Sequence, residues 1–175
     1  MTSIEIQSIA TEALDDHADA LAMIMAETVE DGAAIGYMQP FSKADGLAFF
    51  RSQVFPEVVA GRRVLLAARL DGEMAGSVQL ITSLPPNQPH RCEVAKMMVR
   101  PDARRKGIGR GLMRALDEEA RKAGKSLITL DTRTGDKAEP LYRSAGFKIA
   151  GVIPEFAQDP DGRALHATTY MYKEL

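Results

Sequence analysis

Apolar and polar positions alternate in the first segment of the chain, "IEIQSIA" (residues 4 to 10), and a period of two predicts a half-buried strand. The next segment, "TEALDDHADALAMIMAETVEDG", changes period. Its apolar residues recur at helical spacing behind an acid-rich start, with Thr11 or Asp15 placed to cap the helix and Gly32 to close it. "KADGLAFFRSQVFPEVVAGR" predicts a second helix, bent near Pro56. "RVLLAARLDGEMAGSVQLIT" reads as two strands joined at Asp71-Gly72, a strong hairpin signal. The proline-rich "SLPPNQPHR" cannot continue a strand, and "CEVAKMMV" after it is a mostly apolar extended run, expected near the middle of a sheet.

The second half alternates types. A long helix is expected from Gly107 to Ala123, stopped by Gly124, then a buried strand "SLITLDT" and a short helix "KAEPLYRSA" ending at Gly146, with Asp136 placed to cap it. "FKIAGVIP" and "LHATTYMYKEL" are strands around a "QDPDGR" turn. Hairpin strands followed by strand-helix-strand-helix-strand and a terminal strand imply a mixed sheet with helices on both faces, of α/β or α+β class.

Composition changes this picture little. The 175 residues are 45% apolar and 26% charged, which describes one ordinary globular domain, residues 1 to 175, without repeats or low-complexity segments. The single cysteine, Cys92, forms no internal disulfide and has no cysteine partner for a metal, so no metal is expected and a reducing cytoplasm is the simplest location. The acidic N-terminus is not a secretion signal, and the longest apolar run, "ALAMIMA", is too short to span a bilayer. A net charge of −2 argues against nucleic acid as the main partner.

Against that acidic balance, "VRPDARRKGIGRGLM" collects Arg100, Arg104, Arg105, Lys106 and Arg110 around Gly107, Gly109 and Gly111. It is not a Walker A loop, because no glycine is followed by Lys and then Ser or Thr. A dinucleotide fingerprint fits poorly: its third glycine position is Leu112, and seven residues separate Val99 from Gly107, where that turn follows its strand directly. What remains is the helix start itself. Free N–H groups, the positive end of the helix dipole and mobile cations suit a pyrophosphate; a glycine-relaxed helix start with a solvated basic face is the plain alternative.

The residues Arg104-Arg105-Lys106-Gly107-Ile108-Gly109 match the [RQ]-x-x-G-x-[GA] signature of the GNAT superfamily of N-acetyltransferases, and "AEPLYRSAGF" resembles that family's A-x-x-x-Y-x-x-x-G-F element at compatible spacing. "ETVEDGAAIGYM", "KMMVRPDARRKGIGRGLM", "LDT" and "PDGRALHATTYMYK" are similar to the tabtoxin resistance protein group within it, which acetylates a β-lactam amino-acid toxin. The resemblance implies the GNAT fold, a mostly antiparallel sheet of about seven strands, and acetyl-CoA as cosubstrate. It implies that Met97, Met98 and Val99 run alongside the pantetheine arm, with the Met98 N–H facing the thioester oxygen. Arg104, Arg105, Lys106, Gly107, Ile108, Gly109 and Arg110 would hold the pyrophosphate.

By the same resemblance Tyr142 is the proton donor to the departing thiolate, where the bare sequence offers only a core tyrosine beside Leu141. Direct attack requires a neutral amine, so a carboxylate is wanted near the thioester. Glu93, at the start of one strand, and Asp131, at the end of the next, are the candidates if the strand order is the family's; a solvated acid and a turn residue are their plain readings. His90 is a loop histidine that could relay a proton. Many family members carry Asn where this chain has Gly135, which removes one expected coenzyme contact. Glu27, Tyr37 and Glu155 are candidate acceptor contacts on variable segments. The expected activity is transfer of acetyl to the primary amine of a small polar molecule, with a peptide or protein amine, or an acyl-CoA sensor without turnover, as alternatives. The resemblance leaves monomer or homodimer open.

Overall fold

A computed structural model describes residues 3–175. Its seven strands, β1 (Ile4–Ser8), β2 (Arg63–Leu70), β3 (Glu73–Ile81), β4 (Arg91–Val99), β5 (Leu127–Arg133), β6 (Lys148–Gln158) and β7 (Leu165–Glu174), form one sheet in the order β1-β2-β3-β4-β5-β7-β6. Only β4 and β5 pair in parallel; every other neighbour is antiparallel. The expected mixed, mostly antiparallel sheet is therefore present. Asp71 and Gly72 both take positive φ at the β2–β3 turn, the backbone a two-residue hairpin of this hand requires.

Helices cover both faces. On one side lie α1 (Leu14–Glu30), α2 (Lys43–Phe49) and α3 (Phe55–Val59), packed on Leu65, Ala67, Met74 and Met98. On the other, α4 (Ile108–Lys122) and α5 (Ala138–Ser144) pack on Leu66, Val78, Leu80, Cys92, Val94 and Ile128. Ile108, Leu112, Met113, Leu116 and Ala120 make the buried stripe of α4, each fully buried large side chain contributing roughly 1.5–3 kcal/mol. Gly124 ends α4 in a left-handed conformation, with Gly124 N–H bonded to Arg121 C=O and Lys125 N–H to Ala120 C=O, which satisfies carbonyls the helix would otherwise leave free. Half-buried Lys173 on β7 pairs with Asp117 of α4 and donates to Ala145 C=O at 2.7 Å, tying both helices to the sheet.

Several local expectations are corrected. Neither Thr11 nor Asp15 caps α1; a 3-10 turn over Thr11–Ala13 leads into the helix, and Thr11 Oγ1 donates to Glu12 instead. The bend near Pro56 is a π-helical stretch over Phe50–Val54, closed by Phe55 N–H on Phe50 C=O. Proline lacks the donor that a continuous α-helix needs one turn back. The Asp136 carboxylate accepts from the adjacent Lys137 N–H at 2.6 Å and caps no first-turn N–H, while the Glu139 carboxylate reaches back to Gly135 N–H at 3.1 Å. Strand β6 runs on past Pro154 to Gln158, with a register break between Ile153 and Ala157 and positive φ at Glu155. The sheet edge tolerates a residue without an N–H, as an interior strand would not.

Helices α1 and α2 approach closely because Gly46 has no side chain: a Cβ there would lie 2.8 Å from Ala22 O and 2.9 Å from its Cα. Gly46→Ala gains helix propensity of about 1 kcal/mol but collides with backbone that cannot swing aside, an overpacking cost of about 1–3 kcal/mol. The variant is expected to melt lower than the parent in a thermal scan; a higher melting temperature would mean the two helices separate freely.

Candidate active site

The parallel pairing of β4 with β5 lasts for three residue pairs, Arg91 with Leu127, Cys92 with Ile128 and Glu93 with Thr129. Beyond Glu93 the strands part. On its other edge β4 stays paired to β3, but with a register shift between Ser77 and Gln79 and with Lys96 at φ 51°. That is a β-bulge, which bends a strand and re-aims its side chains. A cavity of about 1280 Å³ runs through the opening and reaches both faces of the sheet. It exceeds the space an ordinary drug-sized ligand needs.

On the α4–α5 side the cavity meets Gly107, Ile108 and Gly109 at the start of α4, with Arg104, Arg105 and Arg110 around them and Leu141 and Tyr142 from α5. Gly107 is the N-cap residue at φ 93°, with no side chain capping the helix. The first bond into the helix is Gly111 N–H to Gly107 C=O, so the N–H groups of Ile108, Gly109 and Arg110 have no intrahelical acceptor. The other two glycines have packing reasons: a Cβ at Gly109 would lie 2.8 Å from Leu141 Cδ2, and one at Gly111 would overlap Ile6 Cδ1. The cations divide. Arg104 pairs with Asp31 and donates to Val99 C=O at 3.2 Å, so it straps the end of α1 to the loop. Arg105 and Arg110 are exposed at the rim, and Lys106 is outside the lining.

Tyr142 is buried against Phe147, their ring centroids 6.1 Å apart, and still borders the cavity. Burial, reinforced by the charges of Asp131 and Asp136, raises its phenol above the ordinary value. It holds its proton through neutral pH. Burial likewise pushes the Cys92 thiol up to about 11, so this cysteine is an inert core residue.

Met97, Met98 and Val99 line the cavity where the strands part. Glu93 and Asp131 line it as well. Parallel register sets Glu93 opposite Thr129, and Asp131 is two residues on, so the two carboxylates project from the same face of the sheet. Arg91 Nη1 donates to Glu93 at 3.2 Å, and Thr168 Oγ1 to Asp131 at 3.4 Å. His90 is not among the lining residues; its carbonyl accepts from Ser126 and Leu127.

The α1–α2 connection closes the other side. Tyr37 lines the cavity and stacks edge-on against Phe41 at 4.9 Å and Phe49 at 5.5 Å. Gln39 pins this loop through its N–H to Pro160 C=O at 2.8 Å and its side-chain amide to Val29 and Glu30 carbonyls at 2.9 Å. Two acceptor candidates are not brought here. Glu27 is half-buried on α1, and Glu155 is exposed on the edge strand β6; neither lines the cavity. Three others enter from elements that looked like core strand: Arg63, Gln79 and Lys96. The one available signal was a lysine inside the apolar run "VAKMMV".

No cluster of His, Cys, Asp and Glu able to hold a metal occurs among the described residues. Among them no helix is long and apolar enough to cross a membrane.

The fold has many solved counterparts. The ribosomal-protein-alanine N-acetyltransferase of Brucella melitensis superposes with a TM-score of 0.80 at 24% identity, covering 98% of this chain and 99% of that one. The yncA protein of Salmonella typhimurium, solved with its cofactor acetyl-CoA, gives 0.79 at 21% identity over 98% and 94%. In sequence, an uncharacterized N-acetyltransferase from the hisH-hisA intergenic region of Azospirillum brasilense is 30% identical over 80% of this chain and 82% of its own length. The L-methionine sulfoximine/L-methionine sulfone acetyltransferase of Pseudomonas aeruginosa is 29% identical over 75% of each. The model of the acetyltransferase (GNAT) family matches residues 37–147, a span that holds the parted strands, the start of α4 and Tyr142, and this chain belongs to that family.

Proposed function

We propose that this chain is a single-domain, cytoplasmic N-acetyltransferase that transfers acetyl from acetyl-CoA to the primary amine of a small polar molecule. One observation carries the reading: a single cavity is lined at once by the start of α4, by Tyr142 and by both Glu93 and Asp131. The unpartnered N–H groups of Ile108, Gly109 and Arg110, with Arg105 and Arg110 at the rim, fit a pyrophosphate. The main chain of Met97 to Val99, left without a strand partner on the β5 side, fits an extended pantetheine arm and offers Met98 N–H as a donor to a carbonyl oxygen.

Acetyl-CoA supplies the activated acyl group as a thioester. Glu93 and Asp131 hold the protonated amine and accept its proton, directly or through water, which frees the lone pair for attack. Tyr142, kept protonated by its burial, delivers a proton from Oη to the leaving sulfur. Strands β4 and β5 and helix α5 carry these groups on rigid elements, so positioning carries much of the rate. A β-lactam amino acid of the tabtoxin type is the narrower acceptor we infer from the motif resemblance, and the name of the Pseudomonas relative, which points to amino-acid derivatives, supports a small amine.

Tyr142→Phe is expected to lower kcat by about a hundredfold or more with little change in acetyl-CoA affinity; unchanged kcat in a thiol-release assay would remove Tyr142 from the mechanism. Because the phenol is raised above its usual value near 10, the protonated form persists to higher pH. The kcat profile should therefore show no falling limb from this group below about pH 10. A β-branched residue at Gly107 must adopt a positive φ, so Gly107→Val is expected to weaken acetyl-CoA binding about tenfold or more by calorimetry. Undisturbed affinity in that variant would exclude the start of α4 from coenzyme binding.

A further inference from the structure

The acceptor side of the cavity contains donors that nothing in the protein satisfies. Arg63 opens β2, Gln79 lies near the end of β3, and Lys96 is the bulged residue of β4. The register pairs Arg63 with Ile81 and Ile81 with Glu93, while Gln79 faces Leu65 and Ala95. Arg63, Gln79 and Glu93 therefore project from one face of the sheet, the face that also carries Asp131. Two interstrand steps separate Arg63 from Glu93 at the backbone, about 10 Å, a gap that long side chains narrow.

Arg63 Nη1 donates to Gln79 Oε1 at 2.7 Å. That bond turns the carboxamide oxygen toward the guanidinium and sends Nε2 the other way. Gln79 is 0% exposed, yet Nε2 has no acceptor, and Arg63 Nε has none either. Buried donors left unpaired are unfavourable, and native structures keep few of them. Lys96 adds a third donor and a second charge: its Nζ donates to Ile35 C=O at 2.6 Å and sits 5.5 Å from the centre of the Tyr37 ring. Burial, and then the nearby Arg63 charge, lower the Lys96 pKa against the opposing pull of Asp131. Burial also lowers that of Arg63, opposed only by the charge of half-buried Glu57. Of the acids that act on this group, Glu57 pairs with Arg62 and Glu93 with Arg91, while Asp131 attracts Lys96 without forming an ion pair with it. Two cations and a buried amide thus converge with no salt bridge to an acid among the described residues.

We propose that Arg63, Gln79 and Lys96 form an anion subsite that receives the carboxylate of the acceptor. The acceptor is then a zwitterion, an α-amino acid or close analogue, held with its carboxylate toward β2 and β3 and its amine toward Glu93 and Asp131. This rests on the acetyl-transfer reading above and adds a requirement to it: a free carboxylate beside the amine. Peptides acetylated at their N-terminus and polyamines lack that group and are poor acceptors. Arg63 with Gln79 offers a carboxylate oxygen a charge-assisted pair, the stronger kind of hydrogen bond.

The experiment measures thiol release from acetyl-CoA with the twenty standard amino acids and L-methionine sulfone, each beside its own carboxamide, and with spermidine and a short peptide. For any acceptor turned over, the acid is expected to exceed its carboxamide in kcat/KM by about a hundredfold. Arg63→Met should collapse that ratio to within about threefold, mainly through KM, and Arg63→Lys should restore part of it. Circular dichroism and acetyl-CoA binding check that the variants are folded, and the comparison on the parent protein needs no variant. Carboxamides accepted as well as acids, or turnover only of spermidine or the peptide, overturn the subsite and leave acetyl transfer standing. Acetyl-CoA bound with no release from any amine overturns the transfer reading and the subsite with it.

Discussion

The parting of β4 from β5 after three residue pairs is the constraint on which the rest of the site depends. A parallel pair that continued would satisfy the backbone of both strands and leave no room between them. Here β4 spends its register on β3 and takes a bulge at Lys96, so its course diverges from β5 and the main chain of Val94 to Val99 faces the opening without a strand partner on the β5 side. Unpaired backbone donors and acceptors in a protein interior are unfavourable unless water or a ligand meets them. The same divergence makes the cavity continuous from the start of α4 to the face covered by α1 to α3, so a phosphate-bearing coenzyme and an acceptor can meet from opposite sides of one sheet.

Charge is distributed to match. At the α4 end, the helix dipole and rim arginines favour an anion, and Arg104, which also lines the cavity, is held in place by its bond to Asp31. The middle of the cavity carries Glu93 and Asp131, which favour a cationic amine. Beyond them, Arg63 and Lys96 restore positive potential without a paired acid. The order positive, negative, positive along one cavity suits a coenzyme phosphate, an ammonium and a carboxylate in turn. Rigid elements hold it: the loop that closes the acceptor side is pinned by Gln39 and Lys96, and the helices are pinned by Lys173.

Much of the fold was legible because the signals were local. The Asp71-Gly72 hairpin, the apolar stripe of α4 and its stop at Gly124 each follow from a few adjacent residues with one strong preference. Helix caps were less legible, since Thr11 bonds to Glu12 and Asp136 to Lys137 instead, and short polar side chains switch between such partners at little cost. The extension of β6 past Pro154 was hidden because proline stops a strand only where its missing N–H is needed, and edge position is a property of the whole sheet. Of the acceptor candidates, Tyr37 reached the cavity while Glu27 and Glu155 did not. Acids on a helix face or an edge strand look alike in sequence whether they turn toward a cleft or toward water.

The sequence by itself determined the elements, their alternation about Gly107 and Tyr142, and the family whose motifs those residues carry, because periodicity, turn chemistry and motif spacing are written along the chain. Only the tertiary structure decided that Arg63, Gln79 and Lys96 meet on one side of the cavity. They lie on three strands whose register depends on a bulge, and a shift of one residue would send their side chains to the opposite face.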